Sequence, residues 1–276
     1  MPTLPFSDRT GSVTRHSDFV SRYIYTRHVD VWCPPGYADR PDRRYPVLYM
    51  HDGQNLFDPA FALGGIDWGM HETTARLIRE KRIPAPVIVG VWNTPLRWRE
   101  YMPQKALELP DAGAARPRFL DLAGGPPISD RYLKFLVEEL KPVIDATYRT
   151  LPDQAHTFIM GSSMGGLISL YAALEYPQVF GGAGCISSHW PVGEDCLIQY
   201  VKNALPKPGS HRFYFDYGTE TLDAGYEPYQ LQVDGILKAA GYQYGKDWLT
   251  LKFAGADHSE SAWRTRVDIP LAFLLG

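Results

Sequence analysis

The 276-residue chain is poor in cysteine, with three (Cys33, Cys185, Cys196) and no C-x-x-C pair. That spacing speaks against a zinc cluster or a disulfide framework and fits reduced thiols in a cytoplasmic protein. It also lacks a surplus of positive charge. Twenty-eight Lys and Arg stand against 31 Asp and Glu, a formal net charge of -3, with neither a basic stripe nor a cationic tail. Nucleic acid and anionic membrane surfaces are therefore excluded as expected partners. No apolar run is long enough to span a bilayer, and "MPTLPFSDRTGSVTRHSDF" has no basic region followed by an apolar one, so no signal peptide is expected. Internal repeats and Pro/Ser-rich linkers are missing too, so one domain over residues 1–276 is expected.

What remains is an alternation of short apolar runs and amphipathic stretches. "YIYTRHVDVWCPPGY" alternates as a strand and stops at Pro-Pro-Gly. "YPVLYMHDGQ" and "APVIVGVWN" (strand Val87 to Trp92) are apolar runs of the kind found in buried parallel strands. "WGMHETTARLIREKRI" places Met70, Thr74, Leu77 and Ile78 on one helical face. "SDRYLKFLVEELKPVIDATYRT" has helical spacing, with Ser129 or Asp130 as cap and a kink or break expected at Pro142. Residues 102–128, "MPQKALELPDAGAARPRFLDLAGGPP" and onward, are rich in Pro, Gly and Ala and read as an extended loop or cap. Later strands are expected at "HTFIM", "GAGCIS", "RFYFDYG" and "WLTLKFA", with helices at "GGLISLYAALEYP", "YQLQVDGILKAAGY" and the C-terminus. Alternating strands and helices imply an α/β fold, a mostly parallel sheet with helices on both faces. Ligands in such sheets sit beyond the carboxyl ends of the strands, so chemistry should follow each strand.

"GSSMGG" meets that condition. Gly161-Ser162-Ser163-Met164-Gly165 is a G-x-S-x-G turn between a strand and a helix, the context of a nucleophile elbow. Ser163 falls at its tip and Ser162 precedes it. A serine hydroxyl needs a base, and in this fold the order is Ser, acid, His. His258 in "FAGADHSESAW" follows the last strand and fits the base; His51 and His189 also follow strands and read first as pocket wall. "GTETLD" offers Glu220 and Asp223 as the acid, Asp223 placed first and the choice left open, while Asp216 lies inside a strand and reads as structural. An oxyanion needs two N–H donors, for which Met164 and Gln54 of "HDGQN" qualify.

Taken together, "YPVLYMHDGQNLFD", "VGVWNTPLRWREYMP", "YLKFLVEELKPVID", "GSSMGGLISLYAALEYPQVFGG" and "GADHSESAW" resemble the putative-esterase family of α/β-hydrolases from about Ser21 onward. The family includes enterochelin-type siderophore esterases, feruloyl and acetyl-xylan esterases, S-formylglutathione hydrolases and mycolyltransferases. The resemblance implies a serine esterase with no metal or organic cofactor, acting on a small-molecule ester, with Ser163 and His258 at the catalytic positions and Gln54 and Met164 at the oxyanion hole. Leu167-Ile168 depart from the S-M-G-G-H-G of formylglutathione hydrolases. "GVWNTPLRWREYMP" draws the chain toward siderophore-type esterases. Asn93, Arg97, Tyr101, His189 and Trp190 are candidate substrate-binding residues, with Arg97 or Arg99 either holding a substrate acid or pairing with a loop carboxylate. Aromatic side chains near the strand ends (Trp68, Trp92, Trp98) suit an aryl, sugar or macrolactone ester. Three rival readings stand: an acyltransferase with the same triad, a non-catalytic binding protein on the hydrolase fold, and a metal hydrolase using His51, Asp52 and His189. The sequence sets no oligomeric state.

Overall fold

A computed structural model describes residues 3–4 and 10–276. Nine strands form one sheet among these residues: β1 Thr3–Leu4, β2 Ser12–Phe19, β3 Arg27–Cys33, β4 Val47–His51, β5 Val87–Val91, β6 Thr157–Ser162, β7 Gly182–Ile186, β8 Arg212–Gly218 and β9 Trp248–Phe253. Their spatial order is β1-β2-β3-β5-β4-β6-β7-β8-β9. The first three strands pair antiparallel, and everything from β5 to β9 is parallel. Strands β4 to β7 are buried along their whole length, as parallel strands covered on both faces must be. Strands β1 and β2 have no counterpart among the sequence expectations. "SVTRHSDF" is polar and half-exposed at the sheet margin, so it carries no apolar run to announce it.

Period-2 alternation divides the core into two layers. Val47 and Tyr49 of β4 point into one layer, with Val89, Leu167, Phe215 and Val233. Leu48 and Met50 point into the other, with Ile88, Met160, Leu271 and Leu274. The helices are α1 Met70–Arg79, α2 Arg97–Tyr101, α3 Gln104–Glu108, α4 Ala115–Ala123, α5 Ser129–Lys134, α6 Lys141–Thr147, α7 Met164–Glu175, α8 Glu194–Ala204, α9 Glu227–Ala239, α10 Glu260–Arg264 and α11 Asp268–Leu275. Residues from α3 to α9 fill the first layer, while α1, α10 and α11 fill the second. The chain thus has the α/β-hydrolase arrangement, with helices on both faces of a mostly parallel sheet.

Three local expectations need correction. Residues 102–128 are not an extended loop, since α3 and α4 occupy much of the segment and bury Ala106, Leu107, Ala115 and Phe119. Its short helices, interrupted by Pro110 and Gly113, leave too little periodicity to read. Nor does Ser129 cap its own helix: Ile128 holds the cap position, and Ser129 Oγ accepts the N–H of Gln104 at 2.9 Å, at the start of α3. Asp130 accepts the Tyr171 hydroxyl instead. Around Pro142 the chain stays helical. The residues before it, Phe135–Leu140, widen into π turns between α5 and α6, which accommodates a ring that supplies no N–H.

The six parallel strands end on one side. Asp52 to Asn55 follow β4, Asn93 to Tyr101 follow β5, Ser163 follows β6, Ser187 to Trp190 follow β7, Asp223 follows β8 and His258 follows β9. Behind the segment after β5 lies a buried ion pair, Arg27 Nη2 to Glu100 Oε1 at 2.5 Å and Nη1 to Oε2 at 3.1 Å, with side chains at most 1% exposed. Removing one member leaves the other charge buried and uncompensated. Glu100→Gln should therefore cost about 3 kcal/mol or more of unfolding free energy, to be read by urea titration; a loss of a few tenths would refute the assignment.

Candidate active site

The turn from β6 into α7 is tight because two glycines flank it. A Cβ on Gly161 would lie 2.8 Å from the carbonyl oxygen of Gly165, and one on Gly165 would touch Asp52 and His51 at 3.4 Å. Ser163 sits at the apex with φ 59° and ψ -122°, a conformation that costs an L residue about 1–3 kcal/mol and recurs at functional sites. Ser162 ends β6 and is buried, whereas Ser163 is half-exposed. Met164 opens α7, so its N–H is among those with no intrahelical partner.

His258 Nδ1 lies 2.5 Å from Asp223 Oδ1. A carboxylate only accepts, so this contact places the ring proton on Nδ1 and leaves the Nε2 lone pair free. Asp223 is 1% exposed, and its Oδ2 accepts both the Ser187 hydroxyl and the Gly218 N–H at 2.6 Å. The Ser187 hydroxyl in turn accepts from Trp263 Nε1 at 3.0 Å and Arg266 Nη2 at 2.9 Å. Arg266 is anchored on Asp216, whose carboxyl burial pushes up against the opposing pull of that guanidinium. The imidazole of His258 stands edge-on between Trp263 (4.9 Å, 85°) and Tyr226 (5.7 Å, 88°). Strand β7 ties the two halves together. Ser163 donates its N–H to Ile186 at 2.9 Å, one residue before Ser187 meets Asp223.

Across the turn, Asp52 takes a left-handed conformation (φ 56°) and leads into the 3-10 turn Gly53–Asn55. Gly53 is required there, because a Cβ would lie 2.5 Å from the backbone of Gly90. Arg97 Nε and Nη2 grip the two oxygens of Asp52, each at 2.7 Å, and Asn93 Nδ2 adds a 2.6 Å bond. Burial works to raise the Asp52 carboxyl, but the Arg97 charge and these hydrogen bonds outweigh it and hold it below its ordinary value. Asn93 also donates its N–H to Gln54 Oε1 at 3.2 Å, which fixes the side chain of Gln54. The segments after β4 and β5 are thereby locked beside the serine turn.

Two further histidines border the serine. His51 is 2% exposed, with Nδ1 2.9 Å from the Tyr132 hydroxyl; burial pushes it down to about 3. The N–H of His189 donates to the Ser163 carbonyl at 3.3 Å, and its ring nitrogen Nδ1 meets the Tyr226 hydroxyl at 2.6 Å. Burial, then the neighbouring His258 and Arg97, push His189 down to about 4. Both rings are therefore neutral near pH 7. The half-buried Trp98 faces His189 at 5.8 Å.

Several candidate residues fall elsewhere. Glu220 is exposed, and its carboxylate has no hydrogen bond among the described residues, so Asp223 alone of the two meets His258. Arg97 is occupied by Asp52, which leaves no free fork for a substrate acid. Tyr101 is fully buried, its ring packed at a tilt against those of His51 and Tyr132. Trp190 is 1% exposed and hydrogen-bonded to Gln230, a core residue. Aromatic residues after strands served the core because the apolar layers run close to the strand ends. His51, Asp52 and His189 make no metal-binding cluster among the described residues; each faces a different partner. Sequence reasoning missed Ser187, Trp263 and Arg266. The signal for Ser187 was its place just after β7, hidden beside Ser188 and His189.

Strand order, elbow and histidine placement define a hydrolase of the α/β class. The family model for putative esterases matches residues 25–268, and the chain belongs to that family. It is a carboxylic ester hydrolase. The uncharacterized protein YbbA of Bacillus subtilis is 28% identical over 211 residues, covering 76% of this chain and 72% of its own. Among solved structures, a ferulic acid esterase superposes with TM-score 0.69 at 19% identity, covering 95% of this chain and 97% of the other. An IroE-like serine hydrolase from Shewanella oneidensis gives TM-score 0.67 at 21% identity, covering 95% and 78%. No helix among the described residues is long and apolar enough to cross a membrane.

The depressed histidines fix a direction for acid sensitivity. His51 and His189 bind protons below their ordinary value of 6.5 when unfolded, but resist them to about 3 and 4 when folded. Between those values the unfolded chain holds more protons, so stability is intact above about pH 6.5 and falls as pH drops toward 4. Urea unfolding from pH 7 to 5 should show that decline, and His51→Gln should flatten part of it. An unchanged slope in the variant would contradict the burial of a neutral His51.

Proposed function

We propose that Ser163, His258 and Asp223 form a catalytic triad and that the chain hydrolyses esters through an acyl-enzyme. The observation that carries the reading is the 2.5 Å Asp223–His258 contact inside a buried network, on the same strand ends as a serine held at positive φ. Ser163 Oγ attacks the ester carbonyl as His258 Nε2 takes its proton. Asp223 holds the ring in the required tautomer and stabilises the imidazolium. The backbone N–H groups of Met164 and Gln54 receive the oxyanion, each at the opening of a helical turn where N–H groups lack internal partners. The proton then passes to the leaving alcohol, and water attacks the acyl-enzyme by the reverse route.

The substrate class we infer is an ester of a hydroxyaryl acid or a related aryl group, in keeping with the ferulic acid esterase likeness and with Trp98 beside His189. Asn93 and His189 border the acyl site in this reading. Three cysteines, all free and buried, support a reducing, cytoplasmic setting. Hydrolysis rather than acyl transfer is tested by product analysis with added alcohol acceptors.

Ser163→Ala should lower kcat on a short p-nitrophenyl ester about a thousandfold or more, and a fluorophosphonate probe should label the wild type but not the variant. Wild-type turnover by the variant would end the proposal. Ser187→Ala removes one donor from Asp223 and should lower kcat about tenfold, the weight of a hydrogen bond of about 1.4 kcal/mol, with KM little changed. A shift in KM alone would place Ser187 outside the relay.

A further inference from the structure

With Arg97 committed to Asp52, the second arginine of α2 faces elsewhere. Residues two apart on a helix are separated by about 200°, so Arg99 projects from the face opposite Arg97. There it lines a cleft of about 320 Å³ with Arg22 and Arg131, together with Ile128, Tyr23 and Tyr25. That volume is in the range of small-molecule sites. No carboxylate lines the cleft. The two nearby acids are engaged, Glu139 by Ser21 and Arg22 and Glu138 by the Tyr23 hydroxyl. Arg99 spends Nε on the Pro126 carbonyl at 2.8 Å, and neither Arg99 nor Arg131 joins an ion pair among the described residues. Tyr25, 68% exposed, leaves an aromatic ring at the rim.

We propose that this cleft is a binding site for a small molecule that carries a carboxylate, sulfate or phosphate on an aromatic or apolar body. Two guanidinium groups without a carboxylate partner, Arg131 and the Nη side of Arg99, match the geometry of such anions, and their weak hydration lowers the cost of binding one. Ile128 and the tyrosine rings take the apolar body. Helix α2 stands between the cleft and Ser163, with Arg97 on one side and Arg99 on the other. The ligand is therefore separate from the ester being cleaved, and the proposal does not rest on the triad.

The test is calorimetric titration of phenyl phosphate and inorganic phosphate into the full chain carrying Ser163→Ala, in 50 mM NaCl. Phenyl phosphate should bind saturably and more tightly than inorganic phosphate, and raising NaCl to 500 mM should weaken it. Arg99→Gln with Arg131→Gln should weaken binding tenfold or more, and Arg131→Gln alone, on an exposed side chain, should weaken it measurably without touching the Arg99–Pro126 contact. Absence of saturable binding, or undiminished binding in the double variant, overturns the site. Equal affinity for the two phosphates overturns its apolar half. In the chain with Ser163 restored, the double variant should hydrolyse p-nitrophenyl acetate within twofold of wild type; a loss of turnover would overturn the separation from the reaction centre.

Discussion

The hydroxyl of Ser187 is the point through which the site coheres. It donates to Asp223 and accepts from Trp263 and Arg266, three contacts that saturate it inside the protein. Each partner comes from a different element: the loop after β8, α10, and the turn before α11. Arg266 is in turn fixed by Asp216 in β8, and Trp263 packs against the tilted ring of Trp68 after β4. A buried carboxylate is tolerated only when its oxygens are satisfied. Without Ser187 the orientation of Asp223, and through it that of His258, would rest on Gly218 alone.

A second lock, across the serine turn, is electrostatic. Asp52 and Arg97 meet in a bidentate pair, and Asn93 bonds both Asp52 and Gln54. The left-handed Asp52 and the crowded Gly53 give the turn one shape, which the ion pair then holds. Two opposed supports therefore flank Ser163: a hydroxyl-centred relay on the β7–β9 side and a charge-centred clamp on the β4–β5 side.

Most of the parallel sheet was legible in the sequence, because buried strands write themselves as apolar runs and the elbow announces itself through Gly161 and Gly165. The β1–β2 margin was not, since "SVTRHSDF" is polar and gains its place from pairing with β3. Residues 102–128 misled because short helices broken by Pro110 and Gly113 look like loop. Of the proposed triad, Ser163 and His258 are nominated by their positions after strands, while the preference for Asp223 over Glu220 rests on which side chain turns inward to meet His258. Arg97 offered two fates that only its distance to Asp52 could separate. Ser187 went unseen because its role lies in three long-range contacts, none encoded in neighbouring residues.

His258 hangs from the end of β9, and β9 is one of the sheet's two edge strands, paired on one side to β8 alone. Edge elements open at a lower free energy than the sheet's centre, where every strand has two neighbours. Fraying there would part the imidazole from Asp223 while leaving β4 to β7 intact. The proposed triad and the fold thus have two separate thresholds in this molecule, and the more fragile of them lies at its margin.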